Sequence, residues 1–217
     1  MSAPRSADSS PPVPSTWPWG VVVFTLAYLS ASIVAAVATG NREFVFYIVV
    51  MFVLLGAVAA VHRRVHFSSV VLWGLAIWGL AHMAGGMVPV PASWPINGEH
   101  RVLYSWWLVP NLLKYDQIVH AYGFGVTTVA CWEGLQSMIR GSGHPPLSPS
   151  LGNLTLCAAA GMGFGALNEV VEFAATLLVP ETNVGGYVNT GWDLVSNMVG
   201  TIVAAWGIRF LSGRNSR

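Results

Sequence analysis

Two glutamates, Glu169 and Glu172, lie three residues apart inside a run that is apolar from Leu154 to Val179. This run is long enough to cross a bilayer. An ionised carboxylate at membrane depth costs about 3 kcal/mol or more, so it normally faces the interior of a helical bundle and marks a functional site. Helix packing alone does not require two such groups. We therefore expect both glutamates to be protonated, paired or metal-bound.

Four further ionisable residues lie at a comparable depth on other apolar runs. His82 precedes the end of its run by about two helical turns, and His120 follows the start of its run by about one turn. Asp116 and Asp193 lie where their runs begin. Imidazole and carboxylate groups together suit Zn, Mn or Fe as ligands. The pattern predicts one shared site for a divalent transition metal, with these ligands: His82, Asp116, His120, Glu169, Glu172 and Asp193.

Three members of this set are expected to be catalytic, namely Glu169, His120 and Glu172. In such a site the metal activates water or polarises a carbonyl or phosphoryl oxygen, and a spare glutamate acts as general base. Neighbouring polar side chains are expected to orient the ligands through hydrogen bonds. The residues predicted for that role are Asn168, Asn197 and Tyr115.

The faces of the predicted helices agree with a shared interior. His120 and Gly123 lie on one stripe, since they are three residues apart. Gly161, Gly165 and Glu169 follow one another at intervals of four residues, and a Gly-x-x-x-Gly pair lets a neighbouring backbone approach closely. Polar groups therefore share their helix faces with small residues, as a packed bundle interior requires.

A purely structural role remains open for several of these residues. A single intramembrane histidine such as His82 is more often a hydrogen-bonded helix contact than a ligand. Asp116 is positioned to cap a helix, and Asp193 is the fourth residue of a possible capping box that begins at Thr190. Asn197 suits interhelical hydrogen bonding in either case.

The composition of the chain predicts an integral membrane protein. Of 217 residues, 54% are hydrophobic and 9% are charged, whereas about 25% are charged in a typical soluble domain. The net charge of +1 and the scattered basic residues exclude a nucleic-acid partner. Cys131 and Cys157 lie inside apolar runs, where a thiol acts as a small hydrophobe. The expected partners are membrane lipids, and association with other membrane proteins is open.

The predicted architecture is an all-α integral membrane bundle of six transmembrane helices over residues 19–211. Residues 1–18 are rich in Ser and Pro and are expected to be disordered and cytoplasmic, and residues 212–217 form a cytoplasmic tail. The segment 92–115 is too polar and too rich in proline to span, and its tryptophans favour an interfacial position. The predicted spans are 19–38, 44–61, 70–88, 117–139, 154–179 and 192–211.

Positive charges predict the orientation of these spans. Six spans place seven basic residues on the side of the termini and three on the other side, and the richer side is expected to be cytoplasmic. Both termini would then be cytoplasmic in the inner or plasma membrane, and the polar site would lie in the outer half of the bilayer. The three basic residues on the outer side are Arg42, Arg101 and Lys114.

Three ordered motifs resemble a known bacterial family. They are Tyr115–His120 (YDQIVH), Asn168–Glu172 (NEVVE) and Trp192–Gly200 (WDLVSNMVG), and His82–Gly86 (HMAGG) strengthens the match. This set, within residues 80–205, resembles the uncharacterised YjdF-like integral membrane proteins, and it is similar to the wider VanZ-like families. The resemblance implies a six-helix membrane protein that carries these polar residues, and association of VanZ with glycopeptide resistance points to the cell envelope. It implies no established reaction.

The chain departs from the VanZ-like pattern at two positions. Gln117 stands where that pattern has a lysine after the aspartate, and Glu172 stands where it has a glutamine. The polar site of this chain is therefore more acidic than the pattern implies.

Three functions fit these features. The first is a metal-dependent enzyme that acts on a lipid or a lipid-linked envelope substrate. The second is a transporter or channel subunit that handles protons or cations through the same carboxylates and histidines. The third is a structural or accessory membrane subunit, in which the polar cluster only fixes the packing of the helices. Metal bound in stoichiometric amount would favour the first.

Overall fold

The computed structural model describes residues 18–180 and 182–214, and these form six α-helices with a short connecting segment of mixed structure between the third and the fourth. The predicted helical class is confirmed. The helices are α1 (Trp19–Thr39), α2 (Arg42–Val65), α3 (Ser69–Met87), α4 (Tyr115–Gly141), α5 (Leu151–Leu178) and α6 (Tyr187–Arg214). The predictions for residues 1–17 and 215–217 fall outside the described residues.

Local capping explains where several helices begin and end. The Asn41 side chain accepts a hydrogen bond from the backbone N–H of Phe44 and so begins α2. Ser68 and Ser150 cap α3 and α5 in the same way. Gly40 ends α1 in the left-handed conformation with φ of 65°, which glycine adopts without steric cost. These caps satisfy backbone groups that the helix ends leave unpaired.

The last helix begins earlier than the hydropathy of the sequence predicts. A start at Trp192 is wrong, because α6 begins at Tyr187 and runs through a polar first turn that hydropathy reads as a loop. Asp193 is therefore inside the helix rather than in a capping box. The start of α4 also differs, since its flanking residue is Lys114, whose N–H donates to the Gln117 side chain. Asp116 is not the cap of α4.

Five of the helices are long and apolar enough to cross a membrane, namely α1, α2, α3, α5 and α6. The exception among the described helices is α4, which carries more polar residues and is less apolar than the other five. It is the central helix of the bundle and packs against α2, α3, α5 and α6. Because its neighbours cover it, α4 does not need an apolar surface of its own.

Small residues allow α4 and α6 to approach closely. Gly200 on α6 faces the backbone carbonyl of Ala121 on α4, and no Cβ would fit between them. Gly125 on α4 lies against the backbone of Gly200 in turn, where an added Cβ would be 3.1 Å from the carbonyl oxygen. Membrane helices commonly associate through such small residues. The contact brings the polar faces of the two helices together.

The outer surface of the bundle is largely apolar, while several polar side chains lie buried beside an apolar core. Val34, Val70 and Leu156, on three different helices, are 69%, 78% and 68% exposed. Asp193 and Asn197, by contrast, are fully buried. This distribution would be unfavourable in water but is expected where lipid surrounds the helices.

The connecting segment between α3 and α4 is not helical. It contains a 3-10 turn at Leu103–Ser105 and two antiparallel strands, β1 (Trp107–Val109) and β2 (Leu113–Lys114). Tyr115, which the sequence assigned to this segment, is the first residue of α4. The segment lies at the same end of the bundle as the loop before α6, because Lys114 Nζ donates to Asn189 Oδ1.

Candidate metal centre

His120 is the residue around which the polar groups of three helices meet. It lies in the second turn of α4, and its side chain is 5% exposed. Its Nε2 atom is 3.6 Å from Asp116 Oδ1 and 3.8 Å from Glu172 Oε1, and its Nδ1 atom is 3.6 Å from Glu169 Oε1. Asp116 shares α4 with His120 at a spacing of four residues, whereas both glutamates come from α5. The sequence-predicted pair His120 and Glu169 is therefore close in space.

The amide of Asn197 orients the His120 ring. Asn197 Oδ1 lies 3.1 Å from His120 Nδ1, and since a carbonyl oxygen only accepts, Nδ1 carries the proton and donates. The lone pair of the ring is then on Nε2, which faces Asp116 and Glu172. A hydrogen bond of this kind fixes the tautomer of histidines that bind metals.

The two glutamates of α5 differ in their hydrogen bonding. Glu172 Oε1 accepts a hydrogen bond of 2.8 Å from Asn168 Nδ2, one turn earlier on the same helix. Glu169 Oε1 is buried and has no hydrogen-bond partner in the described part of the chain. An unpaired buried carboxylate oxygen is costly, so it normally has a ligand, a proton or a water as its partner.

Asp193 joins the group from α6. Atoms of Asp116, His120 and Asp193 lie within 4.8 Å of one another, as do those of His120, Glu169 and Glu172. Asp193 Oδ2 accepts a hydrogen bond of 2.6 Å from Asn189, but Oδ1 is buried without a partner among the described residues.

Carboxylates outnumber fixed positive charges in this group. Asp116, Asp193 and the two glutamates face one lysine within ion-pair distance in the described part of the chain, Lys114, whose Nζ is 3.5 Å from Asp116 Oδ2. Like charges that are this close and poorly solvated cannot all stay ionised without a compensating cation. The group therefore suits either bound protons or a metal ion.

The side-chain hydrogen bonds of His82 and Tyr115 go to partners outside the carboxylate cluster. His82 Nδ1 lies 2.6 Å from the hydroxyl oxygen of Tyr104. His82 belongs to neither of the two groups of ligand atoms that meet at His120. Burial raises the pKa of the Tyr104 hydroxyl well above its ordinary range, so this group keeps its proton. Tyr115 donates its hydroxyl proton to the backbone carbonyl of Ala81, at 3.0 Å, and so connects α4 to α3.

A cavity of about 690 Å³ opens beside the cluster. Its wall includes His82, Asp116 and Glu172, together with Tyr104 and Lys114. Other wall residues come from the connecting segment and from residues 182–189. The cavity therefore leads from the loops at this end of the bundle to the carboxylate cluster.

Comparison with known families adds one match. The family model described as "Predicted membrane protein (DUF2238)" covers residues 20–214. The chain belongs to this family. No curated protein and no solved structure matches the chain. Membership of the DUF2238 family and the apolar helices make the chain a multi-pass membrane protein, while the description of the family names no reaction.

Four residues beside the cluster were absent from the predicted site. Lys114, Asn189, Tyr104 and Glu43 all line the cavity, and Glu43 Oε2 accepts a hydrogen bond of 2.9 Å from the backbone N–H of Asn183. Lys114 had one sequence signal, its position two residues before Asp116. Tyr104 and Glu43 lie far along the chain from the residues they contact, and Asn189, four residues before Asp193, falls in a segment that hydropathy assigns to a loop.

Proposed function

We propose that this DUF2238 protein binds a divalent transition metal, Zn, Mn or Fe, at the cluster around His120 and uses it to act on a lipid or a lipid-linked envelope substrate. The observation that carries the proposal is the convergence of an imidazole and four carboxylates from α4, α5 and α6. Buried oxygens of Glu169 and Asp193 have no hydrogen-bond partner among the described residues. Metal sites in helical bundles are formed by inward-pointing side chains of this type.

The distances between the proposed ligands suit a small metal ion. Bonds of about 2.1 Å in tetrahedral geometry separate neighbouring ligand atoms by about 3.4 Å. His120 Nε2 is 3.6 Å from Asp116 Oδ1 and 3.8 Å from Glu172 Oε1, so small side-chain movements would complete such an arrangement. Asp193 is the further ligand, and His82 is better suited to a role in the cavity wall, where it binds Tyr104.

Glu169 is the proposed general base. Glu169 Oε1 lies 3.6 Å from His120 Nδ1, which is already bonded to Asn197, and it has no hydrogen-bond partner among the described residues. A bound metal would lower the pKa of a coordinated water, and this carboxylate would accept its proton. The cavity of about 690 Å³ reaches the cluster at Asp116 and Glu172, which would bring a substrate head group beside that water.

Transport of protons or cations through the bundle is less well supported. On the side of the cluster away from the cavity, α4 and α6 are in backbone contact at Gly200 and Ala121. Thr128 and Thr201, further along the same two helices, are 0% and 1% exposed. This packing leaves little space for a path to the opposite surface and favours a site that opens at one end.

The proposal includes the placement of the protein in the inner or plasma membrane. In it, α4 is a sixth spanning helix surrounded by apolar helices, the segment 92–114 lies at the membrane interface, and both termini are cytoplasmic. Seven basic residues against three support this orientation. The wider relation to YjdF-like and VanZ-like proteins is part of the same proposal.

Cysteine labelling is expected to report this topology. With Cys131 and Cys157 replaced by serine, a cysteine at Gly186 should react with an impermeant maleimide on intact cells, because it lies in the loop before α6. A cysteine at Ser148 should react only after lysis. Ser148 is preferred to Ser150, which caps α5. Labelling of position 148 from outside would invert the topology.

Metal analysis of the wild-type protein is the direct test of the proposed site. Protein purified in mild detergent without added chelator should contain about one equivalent of a transition metal, measured by mass spectrometry of the digested sample. Removing the metal with a chelator and adding it back should restore the original content. Protein that is folded, contains none and binds none from added Zn, Mn or Fe would leave the structural role as the better account.

Replacing Asn197 tests the same proposal through a partial loss of metal affinity. Replacing Asn197 with alanine removes the acceptor that holds the His120 ring, and loss of such a partner typically weakens metal binding by about 10–100-fold. Competition with a chromogenic chelator would measure this change. Asn153→Ala, on the distant first turn of α5, is the matched control and should leave the metal affinity unchanged.

A further inference from the structure

A second cavity, of about 620 Å³, lies at the same end of the bundle as the carboxylate cluster. It is bounded where four helices end or begin: Thr39 is the last residue of α1, Arg42 the first of α2 and Met87 the last of α3, while Val179 follows α5. If these helices span the bilayer, their ends mark the level of the lipid head groups. The cavity is therefore at the membrane surface.

One wall of this cavity carries the positive charge of Arg42. Arg42 is exposed and forms no hydrogen bond or ion pair with any described residue. Another part of the cavity lining is apolar and includes Ala35, Met87 and Val179. An arginine binds phosphate oxygens with two parallel hydrogen bonds, whereas apolar walls suit an acyl chain. Charge and polarity together match an amphipathic anion.

The second cavity adjoins the cavity of the carboxylate cluster. Glu43, His100 and Asn183 line both. Glu43 is buried, and its Oε2 atom accepts a hydrogen bond from the backbone N–H of Asn183. This carboxylate is thus engaged where the two cavities meet, while the guanidinium of Arg42 has no hydrogen-bond or ion-pair partner among the described residues.

We propose that the second cavity binds an anionic phospholipid, with the phosphate group on Arg42 and the start of an acyl chain against Ala35, Met87 and Val179. This lipid site goes beyond the proposed metal site and does not need the metal to be bound. Its position beside the cluster would hold a phospholipid head group at the entrance of the first cavity.

Lipid binding by the full chain tests the proposal. Native mass spectrometry would count lipids that remain bound to detergent-purified protein after addition of phosphatidylglycerol, of phosphatidylcholine or of diacylglycerol, which has the chains without the phosphate. Phosphatidylglycerol is expected to bind about tenfold more tightly than diacylglycerol, since one charged hydrogen-bonding pair accounts for roughly a factor of ten.

Variants separate the site from general lipid affinity. Arg42→Gln should lose about tenfold in phosphatidylglycerol affinity, whereas Arg64→Gln, at the other end of the same helix, is the control and should retain it. Ala35→Phe should also reduce binding, because its ring would fill the cavity while Arg42 keeps its charge. Arg42→Lys should retain part of the affinity and would exclude misfolding as the cause of the loss.

Three results would overturn the lipid site. Equal binding of phosphatidylglycerol to wild type and Arg42→Gln would exclude Arg42 as the phosphate partner. Equal binding of diacylglycerol would remove the need for a phosphate. Displacement of the lipid by inorganic phosphate at the same concentration would assign the cavity to a free anion instead. Metal content, measured on the same samples, should be the same in wild type and in all variants. A loss of lipid binding would then not result from a loss of metal, so the two proposals are tested separately.

Discussion

Replacing His120 with alanine is expected to reduce the metal content of the purified protein from about one equivalent to nearly none. His120 is the residue common to both groups of ligand atoms, so its removal disrupts each of them. The remaining carboxylates would repel one another without the ion and would bind protons instead. The helices should remain assembled, because the glycine contacts between α4 and α6 and the apolar core do not involve His120.

The matched control for this change is His144→Ala. His144 is an exposed residue of the loop between α4 and α5 and should bind no metal of its own. Both variants need the same elution profile on size exclusion and a similar thermal midpoint for the comparison to hold. Unchanged metal in folded His120→Ala protein would disprove the proposed ligand. Aggregated His120→Ala protein, together with a wild type that holds no metal, would instead support a structural role for the cluster.

Replacing Gly200 with alanine is expected to lower the free energy of unfolding by about 3 kcal/mol or more. The new Cβ would collide with the carbonyl of Ala121, and overfilling of a packed interior typically costs about 1–3 kcal/mol even where side chains can adjust. Here the obstacle is the backbone of α4, so the two helices must separate. The same movement would withdraw Asn197 and Asp193 from His120.

Gly207→Ala is the control on the same helix. An added Cβ at Gly207 meets no atom within 4 Å, so alanine should be neutral or slightly stabilising through its higher helix propensity. Thermal unfolding in detergent, followed by circular dichroism, would compare the two. A Gly200→Ala protein as stable as wild type would mean that α4 and α6 are not in backbone contact.

Hydropathy predicted the helices well because apolar runs of membrane length have few alternatives. The first turns of α6 were missed for the same reason: Tyr187, Asn189 and Thr190 are too polar to belong to a lipid-facing run, although they continue the helix. A distant contact helps to hold this turn, since Asn189 accepts a hydrogen bond from Lys114, 75 residues earlier. A sequence window contains no information about that partner.

The candidate site shows the same limit more clearly. The histidine and the acids were recognisable because ionisable groups are costly in apolar runs. Two of their hydrogen-bond partners, Asn168 and Asn197, were also named from the sequence. Asn189 and Lys114 were not, since they are ordinary polar residues of apparent loops, 75 positions apart. Tyr104 and His82 are joined across an irregular segment that has no periodicity to interpret. Such partners depend on how the helices pack, and the residues next to each one in the sequence do not reveal that packing.

The polar character of α4 also affects how the protein is made. As the chain emerges from the ribosome, α4 precedes α5 and α6, the helices that supply most of the partners for its polar face. If α4 spans the membrane as proposed, its own hydropathy gives it little tendency to leave the translocon for lipid. Stable insertion of α4 would then wait for α5 and α6, and a nascent chain released at residue 150 would leave α4 outside the hydrocarbon core.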